Sequence, residues 1–420
     1  MKKSFNIYIF LSVLCPFWAM AQGTWASYST QLPTKEYWGH KFKLSASIKT
    51  DIVDDSASAR IWARVDRGKG EKRAFFYNMD DRPVRNKEWK TYTIEGVIDS
   101  NTTKIAYGTL TYFNGRFYYD DIRLDIETDK NTWKTVYEND FQQGNLDLQQ
   151  GIQLPSERKN PNFTARLEKK EGNQYLKIEG GNIIDFGNNA VAGKYAEVNG
   201  VKLYYETYGS GQPLVILQGT GSIARVSHFY PELMKKYQVI AVDNRGVGKS
   251  TDTDQPFTYE TMASDINQLL EHLHLDSALV WGYQNGSLVG LLLAKNYPKK
   301  VKKLLAFGFT LSHDSSAIDQ AFLTNNEKRV KEIQDPRIKK AAAFQSSRDY
   351  PNMPFSELST IKTPILIVGA DKGTIVKEHT LKITRTLPNA QFCYLPGTPF
   401  DIIFKTSDLF LIIMRNFFEE

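Results

Sequence analysis

The sequence predicts two domains of different class, an all-β sandwich over residues 22–190 and a doubly wound α/β domain over 194–420. Three observations predict it. Short runs between Phe42 and Ile126 alternate apolar and polar residues with period two, and turn residues separate them. Beyond residue 194, continuous apolar runs alternate with helical patterns, as a mostly parallel sheet with flanking helices requires. Within that second region, Trp281-Gly-Tyr-Gln-Asn-Gly-Ser-Leu-Val-Gly290 reads as strand, tight turn and helix.

The chain has 420 residues, enough for two or three domains, and a formal net charge of +6. The charge is spread without a long basic run, which excludes nucleic-acid binding as a working hypothesis. Met1-Lys-Lys3, the apolar stretch Ile7–Trp18 and the small-x-small triplet Ala19-Met-Ala21 fit a secretory signal peptide over 1–21. The apolar stretch is too short to span a bilayer, so no transmembrane segment is expected in the mature chain. Leu14 precedes Cys15 where a lipidation site expects a small residue. A secreted or periplasmic location is therefore expected over a lipoprotein. After cleavage Cys393 alone remains, so no internal disulfide is available and stability must come from packed cores.

In the first region the alternating runs are Phe42–Lys49, Ala59–Val65, Trp89–Ile94, Lys104–Tyr112 and Phe117–Ile126. Ser45–Thr50, Ala59–Asp66, Tyr77–Pro83, Trp89–Tyr92 and Phe117–Ile122 resemble a jelly-roll module found beside bacterial hydrolase and regulator domains, related in shape to carbohydrate-binding modules. That resemblance implies a jelly-roll sandwich. Sugar binding needs exposed aromatic rings with polar neighbours. The candidate glycan face is Trp38, Tyr77, Asn78, Arg82, Trp89 and Phe117, while core packing is the alternative for most of these rings. Val136–Phe141 and Gln174–Glu179 look like opening strands that come late in the chain. Either they complete the first sheet in a permuted arrangement or they begin a second module. Asn188–Gly193 reads as the linker.

In the second region a hairpin is expected around Asn199-Gly200, a strong turn dipeptide. Strands are expected at Pro213–Leu217, Tyr237–Asp243, Ser277–Trp281, Val301–Phe307, Pro364–Val368 and Gln391–Leu395. Helices are expected over Tyr259–Leu275 and Asp408–Phe418, with a cap region over His313–Phe355.

Residues 195–418 resemble an α/β-hydrolase, the esterase-like family with a Ser-Asp-His triad. The resemblance rests on the Gly282-x-x-x-Gly286 elbow, on Val242-Asp-Asn-Arg-Gly-Val-Gly-Lys-Ser-Thr251, on Gly369–Val376 and on Leu395–Phe400, in family order and spacing. It implies a nucleophile at the elbow, and Gln284 stands there. It implies an acid where Gly373 stands, a histidine base where Phe400 stands, and a His-Gly where Gln218-Gly219 stands. The chemistry needs a hydroxyl to attack, an imidazole to take its proton and a carboxylate to orient the imidazole. A carboxamide is no nucleophile.

Asp371, Asp314, Ser287, His379, His228, His272, His274 and His313 are the residues that a rebuilt triad would have to draw on. Structural roles are expected for them instead. The expected function is a pseudo-hydrolase that binds a small molecule or glycan. Its ligand pocket is expected at Gln218, Thr220, Tyr283, Gln284, Asn285 and Phe400, with the Asn285 and Thr220 amides as donors. One alternative is an active esterase or peptidase with non-standard catalytic residues. Another is a chain whose jelly roll does the work. No metal-ligand spacing, phosphate loop or dinucleotide fingerprint occurs, so no cofactor is implied.

Overall fold

The computed structural model describes residues 24–420 apart from 69–70, 130–131, 143–151, 154–161, 220, 254, 256, 346–351 and 400. The expected signal peptide, Thr220 and Phe400 therefore lie outside the described residues. The rest forms two compact units, with the boundary between Asp185 and Phe186.

The N-terminal unit is built from antiparallel strands. They are β1 (Trp25–Pro33), β2 (Lys41–Ile52), β3 (Ser58–Asp66), β4 (Phe75–Tyr77), β5 (Lys90–Val97), β6 (Lys104–Tyr112), β7 (Gly115–Asp129), β8 (Thr132–Asn139), β9 (Ile152–Gln153), β10 (Phe163–Lys170) and β11 (Asn173–Gly180). One sheet runs β4-β3-β6-β1-β9; the other runs β10-β11-β7-β2-β5, with β8 also on β7. Strict alternation makes this possible. In β2, Phe42, Leu44, Ala46 and Ile48 are fully buried while Lys43, Ser45, Ser47 and Lys49 face outward. Side chains of both sheets share one core, with Phe42 and Leu44 of one and Ile61 and Val65 of the other. The late strands do not begin a second module: β8 and β11 pair with β7, so they complete a sheet of the same sandwich. Both find room because β7 is long: β11 takes its first half and β8 its second. The strand β10 is not legible in the sequence, since its charged residues mask the alternation.

The C-terminal unit holds β12 (Gly193–Val198), β13 (Val201–Tyr208), β14 (Gln212–Gln218), β15 (Tyr237–Val242), β16 (Ala278–Tyr283), β17 (Val301–Phe307), β18 (Ile365–Ala370) and β19 (Ala390–Leu395). Their order is β12-β13-β15-β14-β16-β17-β18-β19. β12 and β13 form the antiparallel hairpin, turned at Asn199 and Gly200 with φ of 44° and 76°. Positive φ at both positions is what this hairpin turn requires. From β14 onward the pairs are parallel. The longer helices are α1 (Tyr259–His272), α2 (Asn285–Asn296), α3 (Gln320–Glu332), α4 (Pro336–Gln345), α5 (Lys377–Thr386) and α6 (Ser407–Glu419). The Thr258 hydroxyl caps α1 by accepting from the Thr261 amide at 3.0 Å. Residues from Gly286 to Ala294 in α2 are buried, which explains why that helix is apolar on every side.

The residues that lead into the expected linker are packed down. Phe186 packs edge-on against Tyr208 and Tyr230 at ring distances of 4.8 and 5.2 Å. The Gly187 and Asn189 amides donate to the Glu206 carboxylate at 2.6 and 3.0 Å. Glu206 is fully buried and also accepts from the Tyr204 and Tyr208 hydroxyls at 2.6 and 2.8 Å. A buried carboxylate needs such donors, and one of the four, the Asn189 amide, comes from the expected linker itself.

Candidate functional site

β16 ends at Tyr283 and α2 begins at Asn285, so the chain reverses through Gln284. That residue sits at φ 52° and ψ −126°, a region that glycine tolerates and a Cβ makes costly. Hydrogen bonds hold it there. The Gln284 amide donates to the Phe307 carbonyl at 2.7 Å, and its own carbonyl accepts from Ser287 at 2.8 Å. The flanking glycines are sterically required. A Cβ on Gly282 would stand 2.4 Å from the Ser287 Cα, and one on Gly286 would stand 2.0 Å from the Leu217 carbonyl oxygen. The elbow is thus present with a carboxamide at its tip. Gln284 and Asn285 both remain partly exposed. Asn285 opens α2, whose first amides have no acceptor inside the helix and lie at the positive end of its dipole.

The other expected pocket residues separate into different roles. Gln218 and Tyr283 are buried, at 1% and 2% exposure, so they support the site instead of lining it. The Gln218 Nε2 donates to the Ile223 carbonyl at 3.1 Å, which also accepts from the Tyr230 hydroxyl at 2.8 Å. The Tyr283 ring lies 5.7 Å from that of Phe307, and the Arg225 guanidinium 5.7 Å from the Tyr283 ring. Thr220 and Phe400 fall outside the described residues.

Two residues that hold this region are not among the candidates named from sequence. The Asp243 carboxylate accepts from the Ile223 amide at 2.8 Å and the Lys249 amide at 2.9 Å. The Asn244 side-chain amide donates to the Gln218 and Gly219 carbonyls at 3.2 and 3.0 Å. Both belong to the Val242–Thr251 motif, so the signal was in view, and their role is to fasten the chain on either side of residue 220. The Gln218 Oε1 and Asn244 Oδ1 atoms are buried with no hydrogen-bond partner among the described residues, which leaves the ground beneath this stretch polar.

Gly373, where the resemblance implies an acid, leaves space. A Cβ there would meet nothing closer than 3.6 Å. A small, mainly apolar cleft opens beside it at the ends of β17–β19, lined by Phe307, Gly308, Ile367, Gly373, Tyr394 and Pro399 among others. No carboxylate enters it from position 373.

The residues that could rebuild a triad have other work. Ser287 is fully buried, and its hydroxyl bonds the Phe307 backbone at 3.0 and 3.3 Å. Asp371 accepts from the Gly397 amide at 2.5 Å and so braces its own loop. His379 is buried and its Nε2 accepts from the Leu311 amide at 3.0 Å. Burial holds that imidazole below its usual range, against the pull of Asp314. Asp314 accepts from the Ser316 amide at 2.7 Å. His228 donates to the Ile403 carbonyl at 2.9 Å, and burial pushes it down to about 4. His272 closes α1 beside the Tyr205 ring, and His274 follows with φ 54°, a turn role. His313 is buried.

The expected glycan face does not converge either. Phe117 is fully buried and Asn78 is 7% exposed. The Trp38 indole donates to the Thr102 carbonyl at 2.9 Å. Tyr77 and Arg82 bond each other, and Tyr77 also bonds Asp81. Trp89 instead meets Tyr118 and Tyr175 on the outer face of the second sheet.

Among the described residues, no group of three or more His, Cys, Asp or Glu is placed to hold a metal ion. No helix among them is long and apolar enough to cross a membrane.

Comparison with known proteins agrees with this geometry. The family model described as alpha/beta hydrolase fold matches residues 212–345, from β14 through the elbow to α4. The soluble epoxide hydrolase of Corynebacterium sp. (strain C12) is 34% identical over 136 residues, which cover 31% of this chain and 48% of that protein. The chain spans less than half the length of the curated relatives it matches. A hydrolase from Pseudomonas aeruginosa PA01 is similar in structure with a TM-score of 0.47 at 17% identity, over 55% of this chain and 100% of that one. The 2-hydroxy-6-oxo-6-phenylhexa-2,4-dienoate hydrolase from Rhodococcus sp. strain RHA1 also has a TM-score of 0.47 and 17% identity, over 54% and 98%. The family match and the sheet order together give the C-terminal unit an α/β-hydrolase fold.

Proposed function

From an α/β-hydrolase fold whose elbow carries a carboxamide, we propose a catalytically inactive binding protein, exported from the cell, that holds a small carbonyl or carboxylate ligand at the elbow. The observation that carries this reading is Gln284 at the elbow tip, in the strained backbone conformation of a nucleophile. The nitrogen lone pair of a carboxamide is delocalised and does not attack an ester or amide carbon. Removing the nucleophile of such a triad costs about 10⁶ in kcat. What survives is binding chemistry. The Asn285 end of α2 favours an oxygen with partial or full negative charge. The Gln284 side chain both donates and accepts, so it fits a carbonyl and its neighbouring N–H or O–H. The cleft beside Gly373 takes a short apolar arm of the same ligand. Export rests on residues 1–21 alone, and the inactive reading does not depend on it.

The test pairs turnover with binding. Purified protein is assayed with chromogenic esters and lactones, then titrated with short-chain carboxylates and lactones while its thermal midpoint is followed. The expected result is no turnover above buffer and a midpoint raised by at least one ligand. Gln284→Trp, which fills the elbow mouth, removes that shift. Turnover by the wild type that survives repurification and is blocked by a serine-directed reagent would overturn the reading.

A further inference from the structure

The sheet β10-β11-β7-β2-β5 has one face in the core and one outside it. The outer face carries Lys49 of β2, Tyr118 of β7, and Tyr175 and Lys177 of β11, because alternate strand residues point to opposite sides. Register sets Lys49 opposite Tyr118, and Tyr118 opposite Lys177. Trp89 lies just ahead of β5, whose Lys90 pairs with Ile48 of β2. Its indole reaches past β2 and stands 6.5 Å from the Tyr118 ring and 5.5 Å from the Tyr175 ring. Tyr118 and Tyr175 meet edge-on at 5.7 Å. Three rings from three separate segments thus converge on one spot. Tyr175 is 6% exposed beneath the cluster, whereas Trp89 is 39% exposed on top of it.

We propose that this face binds a neutral oligosaccharide, with one sugar ring stacked on the Trp89 indole. The C–H edges of a pyranose are weakly positive and sit well on the negative face of an aromatic ring. The two tyrosines fix the indole, so little side-chain freedom is lost when a sugar docks. Sugar hydroxyls need partners that both donate and accept, and these flank the rings. The Ser47 and Thr91 hydroxyls lie 3.3 Å apart, Ser47 also reaches Asp121, and the Lys49 ammonium lies 5.8 Å from the Tyr118 ring. Charge argues for a neutral ligand. Lys177 is matched by Glu168 and Glu179 at 3.3 Å each, and Arg116 by Asp51 and Glu179. This site differs from the face expected from sequence: of those six residues it uses Trp89 alone.

The experiment titrates the full chain with cello-, xylo-, manno- and laminari-hexaose by calorimetry. At least one should bind with sub-millimolar affinity. Trp89→Ala should weaken it at least about tenfold, as loss of a strong aromatic contact does. Ser47→Ala with Thr91→Ala tests the same face without touching a packed ring, and should weaken the same sugar about threefold or more. No binding of any of the four sugars at millimolar concentration would overturn the proposal. So would binding that survives the Ser47/Thr91 pair and, where it folds, Trp89→Ala. None of these variants alters the elbow, so failure here leaves the elbow reading to its own test.

Discussion

At Gln284 the backbone holds a residue with a Cβ at φ 52°, where glycine would sit without strain. Such a position stores on the order of 1–3 kcal/mol. Gln284→Gly should therefore raise the thermal midpoint of the C-terminal unit by about 2 °C or more, read by calorimetry. Two other buried groups make opposing contributions to the pH dependence of stability. Burial pushes the Asp243 carboxyl up to about 6, against the hydrogen bonds from Lys249 and Ile223. The folded state resists its ionisation, so this contribution to stability falls, by on the order of 3 kcal/mol, as pH rises from about 4 to about 6. Burial pushes the His228 imidazole down to about 4. The folded state resists its protonation, so that contribution is lost as pH falls from about 6.5 to about 4. The slopes oppose each other in one window. In thermal melts the Asp243→Asn midpoint should rise relative to the wild type as pH increases through this window, and the His228→Phe midpoint should fall relative to it. The sequence shows the residue type at the elbow plainly, since Gln284 sits in a motif of fixed spacing. It does not show which neighbours turn inward. Tyr283 precedes the turn and Gln218 lies opposite it at the end of β14, but Gln218 bonds the Ile223 carbonyl and Tyr283 stacks on Phe307.

Among the elements, the elbow tolerates no change in its glycines while the acid loop does. Gly286→Ala drives a Cβ against the Leu217 carbonyl at 2.0 Å, and relief means separating α2 from β14. Its expected result is little soluble folded protein, read by expression and circular dichroism. A Cβ at Gly373 meets nothing closer than 3.6 Å, so Gly373→Asp should keep a midpoint within about 2 °C of the wild type, the ordinary range for surface changes. Strands read well from sequence wherever apolar residues alternate or run continuously, as in β2 and β14. The reading fails where long-range pairing decides. That β8 and β11 share the two halves of β7 depends on the length of β7, and nothing local to either strand announces it. Asn188–Gly193 reads as a linker because its residues are mostly small or polar. Its start is held through the Asn189 amide, with Gly187 just before it, by Glu206, which lies on β13.

At the level of the whole molecule, the hydrophobic core that runs from Ala26 to Ile183 shares no residue with the one that runs from Ala196 to Leu387. Calorimetry should accordingly resolve two transitions. Glu206→Gln leaves a single side-chain oxygen where four donors converge. It should cost about 3 kcal/mol and lower only the C-terminal transition, by roughly 5–10 °C. A single transition, or a shift in both, would contradict independent cores. The central claim is that this fold keeps the elbow and has lost the chemistry. It is tested most directly by intact mass after incubation with a fluorophosphonate probe, beside a Gln284→Ser, Gly373→Asp, Phe400→His triple variant. The wild type should show no added mass while the variant is labelled. A covalent adduct on the wild-type chain would contradict the claim and place a nucleophile that Gln284 does not supply.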